Sequence, residues 1–180
     1  MKRNFPLVAL TFIAVTSLVF AQDHPRVSPH ETVKANVGGD DISITYGRPH
    51  TKDPKSGEAR KIWGTLVPFG KVWRMGADEA TLLTTQKALT FGSTKVPAGT
   101  YSLYMLPEEN GAKLIVNKQT GQWGTKYDES QDLARIDMQK STAEQAADQF
   151  TIAIEDRKGG GVLKATWENT QYSAPFTVAD

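Results

Sequence analysis

The residues best equipped for chemistry lie between Tyr46 and Thr81, in the run YGRPHTKDPKSGEARKIWGTLVPFGKVWRMGADEAT. Two of the chain's four tryptophans, Trp63 and Trp73, fall here, among cations and close to the acid pair Asp78-Glu79. A guanidinium fork matches a carboxylate through two parallel hydrogen bonds, so Arg74, folded back across Gly76, would meet Asp78 or Glu79. Such a pair either anchors a polar ligand or ties a loop to its scaffold. Trp63 and Trp123 offer broad apolar faces with an N–H donor, which suits the walls of a wet binding surface. Trp63 and Trp73, flanked by Ile62 and Val72, equally suit the end of a core. Arg48, His50, Lys52, Lys55, Arg60 and Lys61 form a basic stretch broken by Pro49, Pro54 and Gly57. Loops of that length often carry function, and this one would close over an anion or stay solvated.

Other chemistries are disfavoured. Neighbouring residues on a strand point to opposite faces, so Asp78 and Glu79 alone do not make the flanking carboxylates of a glycosidase. The three histidines, His24, His30 and His50, lack the close spacing of a zinc site. A chain beginning at Gln22 would place His24 third from a free amine. That amine, the amides of Asp23 and His24 and the imidazole would make a square-planar nitrogen set for Cu(II) or Ni(II). With no cysteine there is no thiol nucleophile, no thiolate zinc and no disulfide. Nucleophile elbows, phosphate loops and dinucleotide fingerprints are absent, and no cofactor is expected.

The N-terminus has the pattern of an export signal. Lys2 and Arg3 precede an apolar run from Phe5 to Phe20, and Val19 and Ala21 suit a signal peptidase. The run is about 16 residues, short of the roughly 20 that span a bilayer. We expect cleavage after Ala21 and a periplasmic or extracellular product. Removing Lys2 and Arg3 from the 21 basic residues leaves 19 against 20 acids. That balance is no footprint for nucleic acid, and no later segment is apolar enough to cross a membrane.

The elements that must position these residues read as strands. Ile42, Ile44 and Tyr46 alternate with polar residues, as do Phe150, Ile152 and Ile154, and Leu163, Ala165 and Trp167. Gly38-Gly39 reads as a turn. Asn110-Gly111 reads as the tight turn of a hairpin between 99–106 and 112–118, and Gly159 to Gly161 as a looser one. Ser141 with Glu144 looks like a capping box for a short helix through Ala147, and Asp128 to Leu133 like another helical turn. The expectation is an all-β antiparallel sandwich of about nine to eleven strands with one or two short helices, a closed barrel being the alternative. Residues 22–31 read as a flexible lead-in and 32–180 as one domain.

Several phrases occur together in order. They are Ser28-Pro29, Tyr46-Gly47-Arg48-Pro49, Ile62-Trp63-Gly64, Leu66-Val67-Pro68, Gly70-Lys71-Val72-Trp73-Arg74 and Gly76-Ala77-Asp78-Glu79-Ala80-Thr81. Pro97-Ala98-Gly99-Thr100-Tyr101, Asn117-Lys118 and Gln122-Trp123-Gly124 complete them. The series resembles domain of unknown function 2911, a family of exported bacterial proteins, from about Ser28 to Val178. The resemblance implies an exported β-rich domain and supplies no catalytic residues.

The reading that joins these features is an exported protein binding a small polar ligand or a cell-envelope component, more a binder than an enzyme. Its site would lie where the 47–62 loop meets Trp73 to Glu79. Arg74 and Glu79 would be the anchors, with Asp78 and Arg48 nearby, Trp63 and Trp123 as walls and His50 as a titratable neighbour. A carbohydrate hydrolase and a structural or protein-interaction module are the alternatives. A binder should show aromatic walls, and a structural module Arg74 paired with the two acids and no hollow above them. The largest hollow should draw on residues 46–81.

Overall fold

The computed structural model describes residues 26–179. The expected export signal and the expected Gln22, Asp23 and His24 set lie outside the described residues. The described residues form nine strands: β1 (His30–Val37), β2 (Asp40–Gly47), β3 (Thr81–Thr85), β4 (Leu89–Phe91), β5 (Thr94–Val96), β6 (Gly99–Pro107), β7 (Gly111–Asn117), β8 (Asp132–Arg157) and β9 (Gly160–Val178). All pairings are antiparallel. The all-β expectation and its strand number hold. The expected separate layers are instead one continuous sheet, in the order β1-β2-β3-β6-β7-β8-β9-β4-β5.

The length of β8 explains the difference. Its first part pairs with β7, and most of its length runs beside β9. Register shifts between Thr142 and Ala147, and again between Ala147 and Thr151, bend it midway. Bulges of this kind bend a strand and increase its twist. The sheet then folds over itself, so the edge strand β1 lies against β8. The connection after β2 docks on the bend: Phe150 N donates to Pro49 O at 2.9 Å and Thr51 N to Asp148 O at 2.7 Å.

The alternating residues face inward as expected. Ile42, Ile44, Tyr46, Phe150, Ile152, Leu163, Ala165 and Trp167 are all buried in one core. At its centre Trp73 stacks on Trp167, with ring centroids 5.7 Å apart, and Trp63 meets both edge-on. No helix among the described residues is long and apolar enough to cross a membrane.

The local expectations fare unevenly. Gly38 and Gly39, with φ of 56° and 73°, close the β1–β2 hairpin in the left-handed conformation that a two-residue turn requires. The β6–β7 hairpin exists, but Glu108 N donates to Gly111 O at 2.9 Å, so Glu109 and Asn110 are its central pair. Neither Asn110 nor Gly111 takes a positive φ. The β8–β9 turn is tighter than expected, since Arg157 pairs directly with Gly160. The helix expected from Ser141 to Ala147 is part of β8. Those residues bury no apolar face, and a helix this short needs one, so pairing with β9 decides. Near Asp128 the expected turn survives as a single 3-10 turn at Glu129–Gln131, capped by the Asp128 side chain. The strand β1 begins at His30, two residues inside the stretch read as lead-in.

One buried carboxylate fastens the β2–β3 edge. Asp40 is fully buried and accepts from Thr85 Oγ1 at 2.5 Å, Gln86 N at 2.9 Å and Lys87 N at 3.0 Å. Removing it strands two backbone donors, so Asp40→Ala should cost about 3 kcal/mol. Urea denaturation checks this, with a melting temperature lower by roughly 6–12 °C for a domain of this size.

Candidate functional site

The segment from Trp73 to Ala80 crosses the open end of the sheet, held from both sides. Trp73 exchanges two backbone hydrogen bonds of 2.8 Å with Met105 on β6. Ala77 N then donates to Gly47 O at 3.2 Å, where β2 ends. On the other flank Ala80 N donates to Gln122 O at 3.1 Å and Gly124 N to Asp78 O at 2.9 Å. The turn inside the segment is sharp: Met75 and Asp78 take φ of 51° and 63°. Side chains with a Cβ adopt this region at a cost of roughly 1–2 kcal/mol each, Asp less than Met. Buried Thr81 offsets part of that cost, donating its hydroxyl to Met75 O at 2.7 Å.

This backbone decides where the polar side chains go. Glu79 and Trp123 form an antiparallel bridge whose hydrogen bonds come from the residues on either side. In such a non-hydrogen-bonded pair the two side chains stand close together on one face. Trp123 is exposed, at 48%, beside the Glu79 carboxylate. Glu79 Oε1 accepts from Arg26 Nη2 at 2.6 Å. His30, from the start of β1, brings Nε2 to 3.2 Å from Asp78 Oδ2 and 3.5 Å from Glu79 Oε2. The expectation that adjacent acids diverge therefore fails here. Asp78 is not extended, and its left-handed backbone turns both carboxylates toward one imidazole.

Arg74 goes the other way. A Cβ on Gly124 would sit 2.4 Å from Arg74 Cδ, so the arginine lies over the face opposite Trp123. The expected pairing of Arg74 with Asp78 or Glu79 does not form, because the bridge to Trp123 commits Glu79 to the face opposite Arg74. Among the described residues no carboxylate pairs with Arg74, and its Nε is buried without a partner. It lines a hollow of about 190 Å³ with Trp73, Tyr104, Gly124, Thr125 and Tyr127. Burial raises the pKa of Tyr104, and burial with the bond to Asp132 raises that of Tyr127. Both phenols are therefore neutral donors at physiological pH. The Tyr127 hydroxyl donates to Asp132 at 2.6 Å and accepts from Arg135 at 3.1 Å, which fixes the wall of the hollow.

The remaining residues are spread over the molecule. Trp63 packs in the aromatic core, partly buried, with Nε1 3.4 Å from Trp167 O. Arg48 ties β1 to β8 through Glu31 at 2.7 Å and Thr151 Oγ1 at 2.8 Å. His50 meets Gln149 at 2.9 Å beside the bend of β8. The 47–62 loop thus meets the Trp73 to Glu79 segment only through the Gly47 backbone, and from Pro49 to Thr51 it docks on β8. The loop is folded on itself: Asp53 caps Lys55 N and Ser56 N, and those bonds lower its pKa. A hollow of about 470 Å³, larger than the one at Arg74, is a surface depression along β1–β3 lined by Lys34, Asn36, Asp41 and Thr84, with no residue from 46–81. His30, on the other hand, is a site residue that sequence spacing did not single out. It stands 48 residues from Asp78, and only the β1–β2 hairpin brings it near.

Arg74, Asp78, Glu79 and Trp123 all fall within the ordered motifs of the sequence, and His30 directly follows Ser28-Pro29. The family model described as Protein of unknown function (DUF2911) matches residues 28–176. The chain belongs to that family. No curated protein and no solved structure matches it. The DUF2911 motifs Tyr46 to Pro49 and Gly76 to Thr81 meet at Gly47, where a Cβ would lie 2.4 Å from Ala77 O and 3.1 Å from His30 Nε2. Backbone at that distance cannot yield without moving the whole crossing. Gly47→Ala should therefore cost about 2–3 kcal/mol, as an overpacked site does. Gly57→Ala, where only a positive φ opposes the side chain, should cost about 1 kcal/mol. Paired denaturant melts of the two variants measure the difference.

Proposed function

We propose that this DUF2911 protein is an exported binding protein, and that Arg74 in its hollow takes the carboxylate or similar anionic group of a small polar ligand or cell-envelope component. The observation that carries the reading is the Arg74 guanidinium without a carboxylate partner among the described residues, set among Trp73, Tyr104 and Tyr127. A buried N–H left unpaired costs on the order of 1–3 kcal/mol, which an incoming acceptor would recover. A planar fork also suits bidentate capture of a carboxylate. At about 190 Å³ the hollow is smaller than the roughly 300–1,000 Å³ of a site that engulfs a whole ligand. It suits one acidic headgroup, the rest of the ligand lying outside.

Export rests on Lys2, Arg3 and the apolar run to Phe20, with Ala21 at the cleavage point. Mass spectrometry of the secreted product should give a chain starting at Gln22, and a retained Met1 would end that part of the reading. A thermal-shift series with sugar acids and peptidoglycan fragments, set against their neutral counterparts, tests the site. A matching acid at a hundred times its dissociation constant stabilises the native state by about 2.7 kcal/mol. We expect the acids to raise the melting temperature by several degrees and Arg74→Gln to abolish the rise. No shift with any acid, or an equal shift in the variant, refutes the assignment.

A further inference from the structure

The opposite face of the Gln122 to Gly124 segment carries a second and independent arrangement. His30, Asp78 and Glu79 each offer one ligand atom, an imidazole nitrogen and two carboxylate oxygens, all within 4.8 Å of one another. We infer that these three atoms bind a divalent first-row metal ion of the zinc type. Zinc bonds to imidazole nitrogen and carboxylate oxygen are about 2.0–2.2 Å, so neighbouring donors in a tetrahedral shell stand about 3.3–3.6 Å apart. Of the imidazole-to-carboxylate separations, 3.5 Å falls within that spacing and 3.2 Å just below it.

A plain ion pair accounts for the geometry less well. Nε2 carries at most one proton, and one proton serves one carboxylate. Two carboxylates face it, and Glu79 Oε2 is buried with no hydrogen-bond partner. A cation at the centre would engage all three donors at once and remove the repulsion between the acids. Arg26 has a place in this arrangement. It holds Glu79 by Oε1 at 2.6 Å and leaves Oε2 turned inward, as outer partners of metal-bound carboxylates do. Gly47 forms the floor, since a Cβ there would reach to 3.1 Å from His30 Nε2. One nitrogen with two oxygens suits zinc, and calcium, which takes six to eight oxygens, far less. With three protein donors the fourth position stays open toward Trp123.

Calorimetric titration of the mature protein with Zn²⁺ near neutral pH tests the site. We expect one site with a dissociation constant below about 10 μM, weakening at acid pH as protons compete for the donors. His30→Ala and Glu79→Gln should each weaken binding at least about tenfold, and His24→Ala, which removes the alternative N-terminal donor, should leave it unchanged. Cobalt(II) in place of zinc should give a visible absorption band that His30→Ala abolishes. Melts in the presence of chelator show whether each variant is folded. Should His30→Ala not fold, Glu79→Gln, at a half-buried side chain, carries the comparison. Absence of binding in the unaltered protein, or binding indifferent to both substitutions, overturns the inference. Neither outcome touches the Arg74 hollow, whose acid-induced stabilisation is read with chelator present.

Discussion

The close passage of Ala77 over Gly47 is the contact on which both candidate sites depend. Only a residue without a Cβ leaves room for the Ala77 carbonyl at that point. Once the crossing is seated, hydrogen bonds to Gly47 on one flank and to residues 122–124 on the other leave the segment no freedom to rotate. The side chains of Arg74 and Glu79 are then committed to opposite faces. A one-residue slip would exchange those faces, and the strained backbone at Met75 is held against it by Thr81.

The scaffold behind the crossing is stiff for a related reason. A chain without cysteine must rely on packing, and here one sheet supplies it by curling. The bulges in β8 turn the sheet back on itself, and the aromatic group of Trp63, Trp73, Phe150, Trp167 and Tyr172 fills the fold. Trp73 thus has two duties. Its ring belongs to the core, while its backbone launches the segment that carries Arg74 and the two acids.

Two faces of the short segment bridged at Trp123 divide the charge. One side presents an arginine among neutral phenols, the other two carboxylates around an imidazole with an exposed tryptophan beside them. Placed together, these groups would neutralise one another in the salt bridge expected from their sequence proximity. Held apart, each keeps its capacity for an outside partner.

Alternation of apolar residues was enough to reveal β2, the later part of β8 and β9, because a strand half-buried on one face writes its period directly into the sequence. The glycine pair at 38–39 was equally legible, since positive φ leaves few residues to choose from. The Ser141 to Ala147 helix was misleading, because its local signals are weak and the pairing partner that overrules them lies some thirty residues away. Tertiary structure alone placed His30 against Asp78 and Glu79 and turned Arg74 from them. Those relations follow from a hairpin, a left-handed aspartate and a glycine contact between distant motifs, and no periodicity or spacing along the chain encodes a distance across it.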